Sequence, residues 1–418
     1  MSLSPPPMVR RLTLSSSLSR LGTETAYAVS EEAKAHAAAG NKVYSMHIGD
    51  LNFPTPQCIK DAANGALEEG KTGYCPAGGI PALRSALAQY ISGTRGVNYG
   101  PENVSVQPGG KPVIGKFLAA VLEEGDEVLY PSPGYPIYES QIEYLGGVGV
   151  PYGYVDGPDG FSLDLDVLES KFTDKTKVFI FNNYANPVGY AASEDELARV
   201  AAMAVANDVW VLSDEAYWNV VYDLEAKSVA AQPGMEERTV ILFTCSKSWA
   251  MTGWRCGAAV GPERIISAIT KFNTNAEACT THFVQAAAVS ALTDPAAMED
   301  CKKIVATLKE RRDALVPAVN AIPGWSCHLP PSTFYLFIDV TDAMAAMGLA
   351  LTDLETFRQT LLRDTGVSFC TRAHFGRITP GEDKAYVRFA YSGIEADTAV
   401  EACSVLKQYF ENLPSTSS

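Results

Sequence analysis

The sequence predicts an α/β protein: a large unit with a mostly parallel sheet flanked by helices, joined to a smaller α+β unit. Two observations point there. Between roughly residues 60 and 300, β-rich runs alternate with helix-like stretches such as residues 194–207, the pattern of repeated βαβ units. Near Asp294-Pro295 this alternation gives way to a long polar helical stretch, residues 298–316, and then to two more strand-like runs with helices between and after them. A length of 418 residues leaves room for two domains, and 47% hydrophobic with 19% charged residues is the composition of a globular chain with a sizeable core.

Taken in order, the first 23 residues contain no Asp or Glu, hold Arg10, Arg11 and Arg20, and are rich in serine. That is weakly like an organelle transit peptide, although Pro5-Pro6-Pro7 breaks any amphipathic helix there. The start is read as a flexible arm, with the cytoplasm as the default location and organelle import as the alternative. Ala26-Tyr27-Ala28-Val29 and Glu31-Glu32-Ala33-Lys34-Ala35 suggest a helix ended by Gly40-Asn41. A short strand, Val43-Tyr44-Ser45-Met46-His47-Ile48, leads into Gly49-Asp50-Leu51-Asn52-Phe53-Pro54-Thr55-Pro56. Glycine at a strand end before prolines marks a backbone that turns sharply or approaches something closely. Further strands are expected at 104–106, 127–130, 177–181, 209–212, 240–243 and 257–260, and, beyond the long helix, at 334–338 and 386–390. There are no internal repeats.

Composition removes several classes of function. A formal charge of −15 argues against a nucleic-acid surface. The five histidines stand singly, without ligand spacing, so a metal site has no support. Nine cysteines without a C-x-x-C pair fit reduced thiols rather than a disulfide framework, and no apolar run is long enough to cross a bilayer.

The informative residues follow the strands, where ligands of parallel sheets bind. After Val240-Ile241-Leu242-Phe243 come Thr244, Lys247 and, eight residues on, Arg255. A lysine at the end of a buried strand costs several kcal/mol unless it is paired or neutralised, and forming an imine neutralises it; a surface-loop lysine is the plainer alternative. Cys245 reads as a small buried side chain. After the run at 209–212, Asp214 and Tyr217 stand three apart, on one side of a helical turn or, alternatively, as an N-cap and a packing ring. After 177–181, the turn Asn182-Asn183-Tyr184-Ala185-Asn186-Pro187 leaves an amide at the ligand edge. After 104–106, Gly109-Gly110-Lys111 opens a helix, which suits an anion such as phosphate, but the nucleotide P-loop spacing is absent. An amine, an acid and a phosphate cradle at the ends of one sheet are what pyridoxal 5'-phosphate chemistry requires.

On these residues the chain resembles the class I/II aminotransferases of the aspartate aminotransferase type, with fold type I architecture. The matching stretches are Gly49 to Pro56, Gly73-Tyr74 with Gly78-Gly79-Ile80-Pro81, Ser132-Pro133-Gly134-Tyr135, Asn186-Pro187 with Gly189, Asp214-Glu215 with Tyr217, Ser246-Lys247 with Gly253-Trp254-Arg255, and Val387-Arg388. The resemblance implies that Lys247 holds pyridoxal phosphate as a Schiff base and then shuttles a proton. It implies that Asp214 faces the pyridine nitrogen, that Tyr217 and Asn186 bond the ring's phenolic oxygen, and that Tyr135 stacks on the ring. Gly109, Gly110, Lys111, Thr244 and Arg255 would surround the phosphate, with Tyr74 reaching in from the second subunit of a homodimer. Arg388, assisted by Gly49 and Asn186, would clamp the substrate α-carboxylate. Lys111 has a second possible role, meeting a donor's distal carboxylate with help from Thr23 or Thr25. The implied reaction moves an amino group between an amino acid, aspartate or glutamate, and a 2-oxo acid such as 2-oxoglutarate. The alternatives on the same scaffold are a carbon-sulfur lyase, a cyclising lyase, an aminotransferase for aromatic or neutral donors, or an idle cofactor-binding sensor. The implied division is an arm over 1–24, a small domain from 25–58 and 305–418, and a large domain over 59–304. Two departures stand out: Thr371-Arg372-Ala373-His374-Phe375-Gly376 replaces a loop that often carries Pro-Gly, and Val188 stands where threonine is usual.

Overall fold

The structure, a computed structural model, describes residues 12–22, 24–379 and 381–413. Its strands in chain order are β1 (Tyr44–Ser45), β2 (Val104–Gln107), β3 (Glu127–Pro131), β4 (Val148–Tyr152), β5 (Tyr154–Gly157), β6 (Gly160–Leu163) and β7 (Thr176–Phe181). They continue as β8 (Trp210–Asp214), β9 (Thr239–Thr244), β10 (Gly257–Val260), β11 (Tyr335–Asp339), β12 (Val367–Ser368), β13 (Cys370–Thr371) and β14 (Tyr386–Ala390). Seven of them form one sheet in the order β2-β10-β9-β8-β7-β3-β4. Only β10 runs against its neighbours, β9 and β2; the other pairings are parallel. The carboxyl ends of β2, β3, β7, β8 and β9 therefore emerge on one edge.

These strands are apolar on both faces because helices cover both. Val178, Phe179 and Ile180 have no exposed surface, and burial of each contributes about 1.5–3 kcal/mol. The early helices are α1 (Ala26–Ala38), α2 (Gln57–Glu68), α3 (Pro81–Arg95), α4 (Lys111–Val121) and α5 (Ile137–Tyr144). Next come α6 (Leu165–Ser170), α7 (Glu194–Ala206), α8 (Glu263–Ala276), α9 (His282–Thr293) and α10 (Pro295–Asn320). A capping box starts α7: Ser193 Oγ accepts from the Glu196 N–H, while Glu196 Oε2 accepts from the Ser193 N–H. The long helix expected after Asp294 is α10. The Asp294 carboxylate accepts from the Ala296 N–H at 2.9 Å and Pro295 fills the first turn, where a missing N–H costs nothing.

The second sheet, β11-β14-β13, is antiparallel and lies beside a two-residue parallel ladder of β1 with β12. The strand expected over 43–48 shrinks to β1 because β14 claims the carbonyls beyond it. Met46 O accepts from the Ala390 N–H (2.8 Å) and His47 O from the Arg388 guanidinium (2.7 Å). The chain start also differs from the free arm expected through residue 24. Ser16–Arg20 forms a short 3-10 turn along α5, with Arg20 Nε donating to Glu143 O (2.8 Å) and Ser140 Oγ to Gly22 O (3.2 Å). The cause is local: carbonyls at a helix C-terminus have no helical partner and attract a guanidinium. The earlier part of the arm, with Pro5-Pro6-Pro7 and both Arg10 and Arg11, lies outside the described residues.

Candidate active site

A cavity of about 500 Å3 opens at the carboxyl edge of the large sheet and is closed from the other side by residues of α1, β11, β14 and the segment around His47 to Gly49. Lys247, just past β9, enters it and donates from Nζ to Gly49 O at 2.8 Å. Burial pushes its ammonium down to about 8, the Asp50 carboxylate resisting while Arg388 and Arg255 add to the push. The amine is thus half neutral at about pH 8, where an ordinary lysine is almost wholly charged, as a nucleophile or proton carrier needs.

Asp214 ends β8 and is 5% exposed. Its carboxylate accepts from Tyr138 Oη (2.6 Å) and the Ala216 N–H (3.1 Å), and among the described residues it has no cationic partner. Burial raises it to about 6 even so. Beside it, Asn182 ties two strand ends together, donating to Asp214 O (3.0 Å) and accepting from the Asn186 N–H (3.1 Å). Tyr217 is buried with its hydroxyl 2.8 Å from that of Tyr335.

The turn between β2 and α4 is shaped for Arg255. Gly109 has φ +101°, and a Cβ there would lie 2.3 Å from Arg255 Nη2, so only glycine lets the guanidinium settle against the start of α4. Arg255 is itself left-handed (φ 54°) and donates to Thr252 O at 2.9 Å. Gly110 is closely packed too, though less so, since its Cβ would meet Leu242 at 2.9 Å. The hydroxyls of Thr244 and Ser246, 2.9 Å apart, complete the rim. A helix N-terminus, a guanidinium with no carboxylate partner among the described residues and two hydroxyls form an anion cradle.

Arg388, on β14, is 4% exposed and lies between the rings of Tyr335 (4.3 Å) and Phe375 (4.5 Å). It donates to Asn186 Oδ1 (2.9 Å) and His47 O (2.7 Å), both neutral acceptors, and its Nε is buried without a partner among the described residues. Gly49 must be glycine, because a Cβ there would fall 2.0 Å from Tyr335 Oη. Tyr135 lines the cavity edge-on to Tyr138. Lys111 also lines it, but its Nζ sits 3.1 Å from Glu24 Oε1, a partner neither expected role included. Thr25 stands at the N-cap of α1, while Thr23 lies outside the described residues. Tyr74 is 90% exposed and does not line this chain's cavity.

The unusual loop divides. Arg372 is buried away from the cavity, held by Glu382 (2.7 Å) and Ser132 Oγ (3.1 Å), whereas His374 and Phe375 face in. Burial lowers both cavity histidines, His374 against the pull of Glu355 and His47, next to Arg388, to about 4. Sequence reasoning missed Tyr138, Asn182, Tyr335, His47 and Glu24. Tyr138 is signalled by its three-residue spacing from Tyr135, and Asn182 by its place in the same turn as Asn186. The other three reach the cavity from distant segments, with no local mark.

The donor set fits pyridoxal phosphate. A buried carboxylate lacking a cation suits a pyridinium, the cradle suits a phosphate, and a depressed lysine suits an aldehyde. Among the described residues no cluster of His, Cys, Asp or Glu could hold a metal ion, and no helix is long and apolar enough to cross a membrane. The family model described as aminotransferase class I and II matches residues 41–406. An aspartate/prephenate aminotransferase of Cereibacter sphaeroides is 34% identical, over 96% of this chain and 99% of its own. An aspartate aminotransferase of Geobacillus stearothermophilus is 33% identical, over 93% and 98%. Among solved structures, the aspartate aminotransferase from Thermus thermophilus with maleate superposes with a TM-score of 0.88 at 28% identity, covering 95% of this chain and all of that one, 100%.

Proposed function

The chain belongs to the class I and II aminotransferases, pyridoxal-phosphate-dependent transaminases of fold type I, and from that premise we propose that its donors are aspartate and glutamate and its acceptor a 2-oxo acid such as 2-oxoglutarate. One observation carries the choice: Lys111, although paired with Glu24, lines the same cavity as Arg388 and Lys247, so a second side-chain cation beyond the one for the α-carboxylate faces the donor. The relatives named for aspartate support it.

In this reading Arg388 takes the α-carboxylate as a charge-assisted pair, with Asn186 and the backbone at Gly49 fixing its plane. Arg255, Thr244, Gly109, Gly110 and the first turn of α4 hold the phosphate, and Tyr135 covers the ring. Tyr217 and Asn186 would donate to the ring's phenolic oxygen. Asp214, positioned by Tyr138, would keep a proton on the pyridine nitrogen. Bound pyridoxal phosphate supplies an electron sink that makes the amino acid's α-proton acidic. Lys247 Nζ, half neutral at about pH 8, would take that proton from Cα and hold it for return to the substrate side of the site.

The exposed Tyr74 supports a homodimer in which it serves the partner's phosphate; a monomer by sedimentation of the holoenzyme would rule this out. Nine unpaired cysteines support a reducing compartment such as the cytoplasm, and fractionation of the tagged chain tests it. For the donor, a single-turnover half-reaction followed by cofactor absorbance is decisive. A charge-assisted bond contributes about 1.5–3 kcal/mol, so Lys111→Ala should cut kcat/KM for aspartate roughly ten- to hundredfold and for alanine much less. Equal losses on both donors would assign Lys111 to the phosphate and remove the acidic-donor reading.

A further inference from the structure

Glu24 stands where a donor's side-chain carboxylate is expected. Its Oε1 is 3.1 Å from Lys111 Nζ, its side chain is 15% exposed against 44% for the lysine, and it lines the same cavity. It is anchored from both directions in the chain. Gly22 is hydrogen-bonded to Ser140 of α5, and α1 begins just after it, with Ala26 and Val29 packed on Cys370 and Phe375. The hydroxyls of Tyr27 and Tyr135 face it too; burial first, and then the Glu24 carboxylate, raises both.

Four side-chain cations line the cavity: Lys111, Lys247, Arg255 and Arg388. Among the described residues only Lys111 has a carboxylate in salt-bridge contact. If Arg255 meets phosphate and Arg388 the α-carboxylate, an amino acid with an uncharged side chain finds the far end of the cavity already neutral. A dicarboxylic one must separate Glu24 from Lys111, because two carboxylates on one ammonium in a half-dry site repel each other. The attraction it gains is then offset by the one it breaks.

We propose that Glu24 is a specificity-determining residue: an internal carboxylate that occupies Lys111, must be displaced by the distal carboxylate of aspartate or glutamate, and thereby keeps donors with uncharged side chains competitive. This rests on the reading of Lys111 as the receptor for a distal carboxylate. Holoenzyme carrying Glu24→Gln, Lys111→Ala or both is compared with the wild type in two measurements. One is the ratio of kcat/KM for aspartate to that for alanine; the other is the dissociation constant of maleate, an unreactive dicarboxylate, by calorimetry. Glu24→Gln, which keeps the shape and drops the charge, should raise the ratio about tenfold and tighten maleate by a similar factor, equivalent to about 1.4 kcal/mol. In the Lys111→Ala background the same change should move neither by more than about twofold. Glu24→Ala, should the first variant fold poorly, is expected to shift both in the same direction. An unchanged or lowered ratio in Glu24→Gln overturns the proposal, and so does an equal rise without Lys111. If Lys111→Ala alone leaves the wild-type ratio unchanged, the receptor reading has failed instead.

Discussion

At the end of β8 two adjacent carboxylates, Asp214 and Glu215, are both buried, 5% and 2% exposed, and differ in what meets them. Glu215 turns into the scaffold, where Arg95 Nε reaches it at 2.9 Å and the hydroxyls of Ser213 and Ser228 donate to its other oxygen. The same guanidinium lies 3.7 Å over the Trp218 ring. Asp214 turns into the cavity and receives two uncharged donors only. The arginines divide in the same way, Arg95 on a carboxylate and Arg388 on neutral oxygens. This chain can match a buried charge within one residue of Asp214. Leaving Asp214, Lys247 and Arg388 unmatched therefore marks charges kept for something that arrives.

The largest test of that contrast is Lys247→Met, which removes the proton carrier and should slow the half-reaction by about 10⁴-fold. Borohydride reduction of the loaded wild type should leave the pyridoxyl label on Lys247; a label on Lys111 breaks the assignment. Stability should move the other way. With a folded value near 8 against 10.5, the ammonium's burial cost is fully present below pH 8 and fades between 8 and 10.5 as the folded chain sheds its proton first. Cofactor-free Lys247→Met should thus gain up to about 3 kcal/mol at pH 7, read as a higher urea midpoint.

Arg95→Met probes the matched side. Stripping one partner from a buried pair strands the other, which costs about 3–5 kcal/mol, so its urea midpoint should fall at constant slope. A stability loss as large in Lys247→Met would erase the distinction between the two regions.

Asp214→Asn sharpens the contrast with the smallest chemical change. The half-reaction should drop about 10²- to 10³-fold through loss of a preorganised electrostatic partner. In the cofactor-free protein the folded carboxyl, near 6 against 3.8, holds a proton that the unfolded chain has already released. Asp214 therefore withdraws stability as pH rises through that window, and fully so above it. The asparagine variant should be more stable by about 3 kcal/mol at pH 7.5, the gap closing below about pH 4. Denaturation curves at both pH values decide it, and destabilisation at pH 7.5 would contradict the unmatched-charge account.

The side of the cavity built from the large sheet was legible in the sequence because each β-rich run ends in polar residues that have no reason to follow a buried strand. Lys247, Asp214, Asn186 and Gly109 all stand out that way, and the cavity collects Lys247, Asp214 and Asn186, with Gly109 pressed against Arg255 behind it. The opposite wall was not legible. His47 and Tyr335 sit in apolar surroundings where a ring reads as core, and their cavity positions exist only once β14 has paired with β11 and Met46. Glu24 was lost because its segment looks like an arm until Arg20 is seen on the end of α5. The reversal of β10 was equally hidden, since Gly257-Ala258-Ala259-Val260 is buried on both faces and carries no alternation from which direction could be read.

The contact between Cys370 Sγ and His47 O spans 323 residues, as part of the seam where β1 meets β12. At ribosomal speeds of roughly 5–20 residues per second, the stretch holding His47 and Gly49 waits roughly 15–65 s for the strands that fix it, and Arg388 is made later still. Every residue of the phosphate cradle, from Gly109 to Arg255, is thus synthesised before the clamp for the substrate.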